Sequence, residues 1–167
     1  MAYTTMTPGL SADTQSIKAA LIAFFTAGAA AFIAFDLFGQ VLSPMFGFAT
    51  LAPVGLANAT ISAVFGSGYR PGAEALHFFA GLVAYPLGWL MIAEPIRAKI
   101  TPFVPSLVAA AIYGVGLWVF ALYGMAHLVA GNAPFLGFTG ITWVALVGHV
   151  LFAVVFTAVW NGMRNRG

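Results

Sequence analysis

The sequence predicts an all-α polytopic membrane protein of four transmembrane helices, with an outer-side interfacial or re-entrant segment between the first two. Three observations lead there. Of 167 residues, 62% are hydrophobic and 6% charged, against roughly 25% charged in an ordinary soluble domain. Four stretches match the roughly 20 apolar residues needed to cross a hydrocarbon core of about 30 Å. The few basic residues fall unevenly along the chain, as the positive-inside rule requires of a membrane protein.

The spans read as about Ile17 to Phe38, Ala75 to Ala93, Val104 to Ala130 and Thr139 to Trp160. Each is apolar around most of its circumference, unlike a surface helix with a single apolar stripe. Proline punctuates the second connection at Glu94-Pro95, Thr101-Pro102 and Val104-Pro105, and Gly131-Asn132-Ala133-Pro134 punctuates the third. Short connections make neighbouring helices antiparallel.

Val41 to Phe65 is apolar enough for a further span but contains Pro44, Gly47, Pro53, Gly55 and Asn58. Charge decides against a span. With four crossings, Lys18, Arg97, Lys99, Arg164 and Arg166 share the cytoplasmic side and only Arg70 lies outside, whereas a fifth crossing would scatter them. The expected organisation is a polar cytoplasmic N-terminus over 1–16, one membrane domain over 17–162 with an interfacial or re-entrant insertion at 41–66, and a basic cytoplasmic tail at 163–167. The first fifteen residues lack the basic start of a cleavable signal peptide.

Several function classes drop out. Six Lys and Arg against four Asp and Glu are too sparse for a nucleic-acid footprint. Without cysteine there is no disulfide, thiolate nucleophile or iron–sulfur ligand. A phosphate loop, His-Glu-x-x-His and a nucleophile elbow are all missing, so no catalytic residues are assigned and a non-enzymatic role is expected. Proline at 86 predicts a kink, because it cannot donate to Leu82 and crowds that carbonyl. Ala84 with Gly88, Ala110 with Gly114, and Gly116 with Gly124 read as seams for close helix approach.

Ionisable groups inside membrane helices are costly and signal a specific partner or function. Counting about 1.5 Å of rise per residue places Asp36, His77 and His127 in the outer third of the bilayer, with Glu74 at the interface and His149 near the midplane. Three readings stand. Asp36, His77 and His127 suit a transition metal such as zinc, copper or iron. His77, His127 and His149 suit a haem or pigment, with a bis-histidine haem between His77 and His127. Alternatively the histidines hold no cofactor and fix helix register through hydrogen bonds, in which case His149 needs a partner from a facing helix. A proton pathway lacks titratable groups in the inner half, which has only Glu94 at its edge.

The segments Leu76-His77-Phe78-Phe79-Ala80-Gly81-Leu82, Gly116-Leu117-Trp118 and Leu146-Val147-Gly148-His149-Val150-Leu151-Phe152 resemble the YagU-like group of small bacterial inner-membrane proteins. The resemblance covers about Ala75 to Trp160. It implies four membrane helices with histidines near the outer ends of two parallel ones, and supplies no reaction. Sparse catalytic equipment and small-residue faces point to an accessory or scaffold subunit of a larger respiratory or photosynthetic membrane complex. A histidine-ligated cofactor protein is the alternative.

Overall fold

The computed structural model describes residues 9–165, which are helices, turns and loops without a strand. Residues 1–8 and 166–167 lie outside it, and with them half of the polar N-terminal segment and Arg166 of the basic tail. Four helices are long and apolar enough to cross a membrane. We label them α1 (Gly9 through Met45), α3 (Arg70–Ile100), α4 (Ser106–Val129) and α5 (Gly140–Arg164), with the shorter α2 (Pro53–Phe65) between the first two.

Side-chain pairings fix the helix directions. Phe24 meets Phe156 and Phe35 meets His149, so α1 and α5 run antiparallel. Asn161 reaches Ser106 at one end of α4–α5 and Trp118 reaches the Thr142 carbonyl towards the other. The Tyr113 hydroxyl donates to the Tyr85 carbonyl at 2.7 Å, tying α4 to α3 in the same antiparallel sense. Lys18, Arg97, Lys99 and Arg164 therefore collect at one end and Arg70 at the other.

Helix α5 is the hub, packing extensively on both α1 and α4. Small residues make this possible. Ala23, Ala27 and Ala31 recur every fourth position on α1 and are almost wholly buried, as are Ala153 and Thr157 of α5. A Cβ on Gly114 would lie 2.6 Å from the Val150 Cα and 2.7 Å from the His149 carbonyl oxygen, so here two backbones touch. Ala110, fully buried, belongs to the same seam. Gly88 also confirms its assignment, since the Tyr113 hydroxyl occupies the place of its Cβ. Gly116 does not: nothing lies within 4 Å of a Cβ there, and Gly124 meets only Phe120 of its own helix.

The helices outrun their sequence-predicted limits because three prolines are absorbed rather than obeyed. Before Pro44, Pro86 and Pro95 the chain widens into π-helical turns over Leu37–Leu42, Ala80–Ala84 and Trp89–Ala93. In each case the residue preceding proline donates to the carbonyl five positions back: Ser43 to Phe38, Tyr85 to Ala80 and Glu94 to Trp89. The wide turn moves backbone out of the way of the proline ring and keeps the donors satisfied. Hence Glu94-Pro95 does not end its helix, which continues to Ile100. Arg97 then staples the exit, donating to both Glu94 oxygens at 2.7 and 2.6 Å and to the Val104 carbonyl at 3.0 Å.

Helix α3 packs on α4 chiefly through Trp89–Ala93 and the turns that follow. Towards the Arg70 end, α2 is wedged in, packing on Arg70–Phe79 and Phe120–Val129. Its approach is set by a loop that folds back from α1: Ser43 donates to the Ala49 carbonyl at 2.7 Å and the Leu51 N–H to the Gly39 carbonyl at 2.9 Å. Leu51 is thereby buried against Ala121, Leu122, Val144 and Ala145. Helix α2 closes at Gly66, whose φ of 80° is the left-handed conformation suited to glycine at a helix end.

The Gly114 contact sets a paired expectation. Gly114→Ala should destabilise the detergent-solubilised protein by about 1–3 kcal/mol through overpacking. Gly116→Ala, facing open space, should be neutral or stabilising by up to about 1 kcal/mol from helix propensity. Thermal or denaturant unfolding of the two variants checks the contrast, and equal effects would contradict the assigned seam.

Candidate functional site

The gap below the α2 wedge is a cavity of about 300 Å³. All five helices contribute to it, and its wall is overwhelmingly apolar and aromatic: Phe32, Phe35, Phe120 and Phe152 all face in. Phe79 of α3 and Phe120 of α4, at 56% and 53% exposure, are among the lining side chains that also reach the outside. Two imidazoles, His77 and His149, stand in this wall.

His149 is 5% exposed. Its Nδ1 lies 2.7 Å from the Ala145 carbonyl oxygen, one turn earlier on α5. A carbonyl can only accept, so Nδ1 carries the hydrogen and, in the neutral ring, Nε2 holds a free lone pair. Expectation placed its partner on a facing helix. The actual partner is on the same helix, because a histidine in a helix reaches the carbonyl four residues back without any tertiary help. The facing helices give aromatic contacts, with Phe35 edge-on at 5.1 Å and Tyr85 at 6.2 Å between ring centres.

His77 is held differently. Its Nε2 lies 3.1 and 3.3 Å from the two Asp36 oxygens, joining α3 to α1 across 41 positions of sequence. An ionised carboxylate only accepts, so Nε2–H donates and Nδ1 is the remaining ring nitrogen. Side-chain exposures of 14% for His77 and 27% for Asp36 put the pair in partial shelter. Phe32, 4.8 Å away between ring centres, packs on the imidazole. A carboxylate behind an imidazole fixes ring orientation and tautomer.

His127 does not join them. Its Nδ1–H donates to the Asn132 carbonyl at 2.7 Å, and Tyr123 lies 5.3 Å away. It serves the end of α4, where wide turns run over Phe120–Val129 and leave carbonyls to be satisfied. The metal set Asp36, His77 and His127 is therefore not assembled, and among the described residues no three His, Cys, Asp or Glu side chains converge to hold a metal. Of the bis-histidine pair, His77 stands in the cavity wall and His127 does not: depth counting fixes level along the helix axis, not direction around it. Glu74, exposed, pairs with Arg70 at 3.1 Å and stands outside the site.

Sequence reading missed the aromatic lining and the turn that closes the cavity near Leu136. Phe135, Leu136 and Phe138 have φ of 49°, 54° and 53°, with Gly137 at 70°. Left-handed backbone costs non-glycine residues about 1–2 kcal/mol each. The turn is held by the Thr142 hydroxyl donating to the Phe135 carbonyl at 2.5 Å, and by Trp118 stacking on Phe135 at 4.7 Å. No glycine run marked it beforehand.

Comparison of the chain with protein-family models, characterised proteins and solved structures finds no match. The site therefore speaks through its own geometry.

The Asp36–His77 bond should show as coupling. His77→Leu leaves a partly buried carboxylate without its donor and should destabilise more than Asp36→Asn. In a cycle of Asp36→Leu, His77→Leu and the double variant, the double should cost about 1–3 kcal/mol less than the sum of the singles. Denaturant unfolding in detergent measures it, and simple additivity would show the bond to be energetically idle.

Proposed function

We propose that this chain is an integral membrane protein that binds a small lipophilic molecule in the cavity between α2, α3 and α4, without catalysing a reaction on it. The observation that carries this is the lone pair of His149 Nε2, for which no protein hydrogen-bond partner stands in a mostly apolar wall. An acceptor facing a cavity marks a position where a bound group completes the hydrogen bonding. The cavity volume, about 300 Å³, is at the lower end for small-molecule sites, which run from about 300 to 1,000 Å³.

The membrane setting is supported by four helices of crossing length and by the gathering of Lys18, Arg97, Lys99 and Arg164 at one end. The positive-inside rule makes that end cytoplasmic, termini included, and puts the cavity in the outer half of the bilayer. Together with the YagU-like resemblance this favours a bacterial inner membrane. Helix α2 and its approach loop are then the interfacial or re-entrant element: Leu51 is buried, while Met45, Phe46 and Phe48 at the bend are exposed, which suits irregular backbone at the membrane surface rather than in the hydrocarbon.

The cavity favours the histidine-dependent binding reading with two of its three residues, His77 and His149, in the wall and His127 outside it. An accessory-subunit role rests on outward-facing apolar side chains such as Ile22, Met91 and Ile112. Lipid would cover those equally well, so they select no partner.

The reading predicts that protein purified from its membrane in mild detergent carries a stoichiometric organic molecule, seen by solvent extraction and mass spectrometry. Ala84→Trp, at an exposed cavity-lining position, should abolish it while leaving unfolding unchanged. An empty wild type, or a molecule retained equally by Ala84→Trp, would refute binding at this cavity.

A further inference from the structure

We infer that the cavity selects a lipid-soluble phenol or quinol, recognised by donation of its hydroxyl hydrogen to His149 Nε2, over the corresponding ether or quinone. This rests on the binding reading above and deepens it. Three features of the wall lead to it.

The first is the polarity that His149 presents. With Nδ1–H committed to the Ala145 carbonyl at 2.7 Å, neutral His149 offers the cavity an acceptor and no donor. A ligand that bonds to this nitrogen must therefore bring the hydrogen. A quinone carbonyl or an ether oxygen would set lone pair against lone pair, and would also displace any water that had been satisfying the nitrogen. A hydroxyl makes the bond. Sites built to hydrogen-bond a hydroxyl discriminate strongly against analogues lacking it, because the buried partner is left unpaired.

The second is the shape of the apolar part. Phe35 presents its edge region to the His149 ring at 75°, and Tyr85 and Phe152 stand T-shaped at 5.8 Å. Aromatic walls at these inclinations receive a flat ring by edge and offset contacts. The hydroxyl and the ring must be close together, since the acceptor lies among the aromatic side chains rather than at the mouth. A phenolic hydroxyl meets that condition, and its O–H is a stronger donor than that of an aliphatic alcohol.

The third is access. Phe79 of α3 and Phe120 of α4 line the cavity and are also exposed on the apolar outer surface. Entry from the hydrocarbon phase suits a molecule already dissolved there, with any alkyl or prenyl tail left trailing outside the cavity. No bond of the ligand other than the hydrogen bond is made or broken, so no oxidant or reductant is required.

The test uses the full chain in lipid nanodiscs and three probes sharing one short prenyl tail: a benzoquinol kept reduced under anaerobic conditions, its dimethyl ether, and the benzoquinone. Binding is measured by equilibrium dialysis, with partition into empty nanodiscs subtracted. The quinol should bind at least about tenfold tighter than either analogue, the factor that one net hydrogen bond of about 1.4 kcal/mol provides. In His149→Phe the three affinities should converge, while Ala84→Trp should weaken all three. Equal wild-type affinities, all lost in Ala84→Trp, would overturn hydroxyl selection and leave the cavity reading intact. If no probe binds, or Ala84→Trp changes nothing, the cavity reading falls and the selection with it. The probe series compares ligands on the unaltered chain, so it decides the matter even if His149→Phe fails to fold.

Discussion

Everything in this molecule is arranged around the near-contact of backbone between α5 and its two neighbours. Alanine, glycine and threonine on the facing surfaces let α1 and α4 approach so closely that a single added Cβ at Gly114 would collide with Val150. In hydrocarbon, where burying apolar surface gives little net drive between helices, such close van der Waals contact is the main source of association. Three helices are consumed in building this core. The fourth long helix, α3, meets α1 along Ala80–Ala84, where Gly28 approaches the Leu82 backbone, and α4 near Trp89, which is 2% exposed and meets Tyr113. The space left along the rest of α3 is what α2 enters and what the cavity occupies. Tight packing on one side thus produces looseness on the other.

Much of the fold could be read from the chain because the governing signal is crude and strong. Length and apolarity located four helices, and the basic residues separated the Val41–Phe65 region from them. Where the reading erred, it erred at proline. A rule derived from ideal α-helices treats Glu94-Pro95 as an ending, but a turn widened by one residue removes both the clash and the missing-donor problem. The same device carries α1 past Pro44, so that helix absorbs the start of the region assigned to the insertion. The left-handed turn at Phe135 was illegible for a different reason. Its conformation is imposed by Thr142 and Trp118 from neighbouring turns and helices, not preferred by Phe, Leu and Phe.

The site was legible in level and illegible in direction. Asp36 and His77 sit on different helices at similar predicted depth, and they do meet, at 3.1 Å. His127 has a comparable predicted depth but bonds to the Asn132 carbonyl, in the loop that follows its own helix. His149, 5% exposed, is the buried histidine of the group, yet its partner came from its own helix. Pairing in depth is a one-dimensional fact that sequence can supply; facing is a two-dimensional one that depends on how each helix is rotated by its neighbours.

That rotation has a particular origin in α3. In an ideal α-helix, residues four apart drift by about 40° around the axis at each step. The cavity wall nevertheless takes Leu76, Ala80 and Ala84 from this helix, and beside them His77, Gly81 and Tyr85, a ladder with a period of four. The wide turn over Ala80–Ala84 slows the winding just enough to keep the ladder straight. Sequence length here acts as an angular coordinate. If Ala80–Ala84 wound at the ordinary α pitch with no residue removed, Tyr85 would stand about 80° around the axis from His77, and the two would look out on different sides of the same helix.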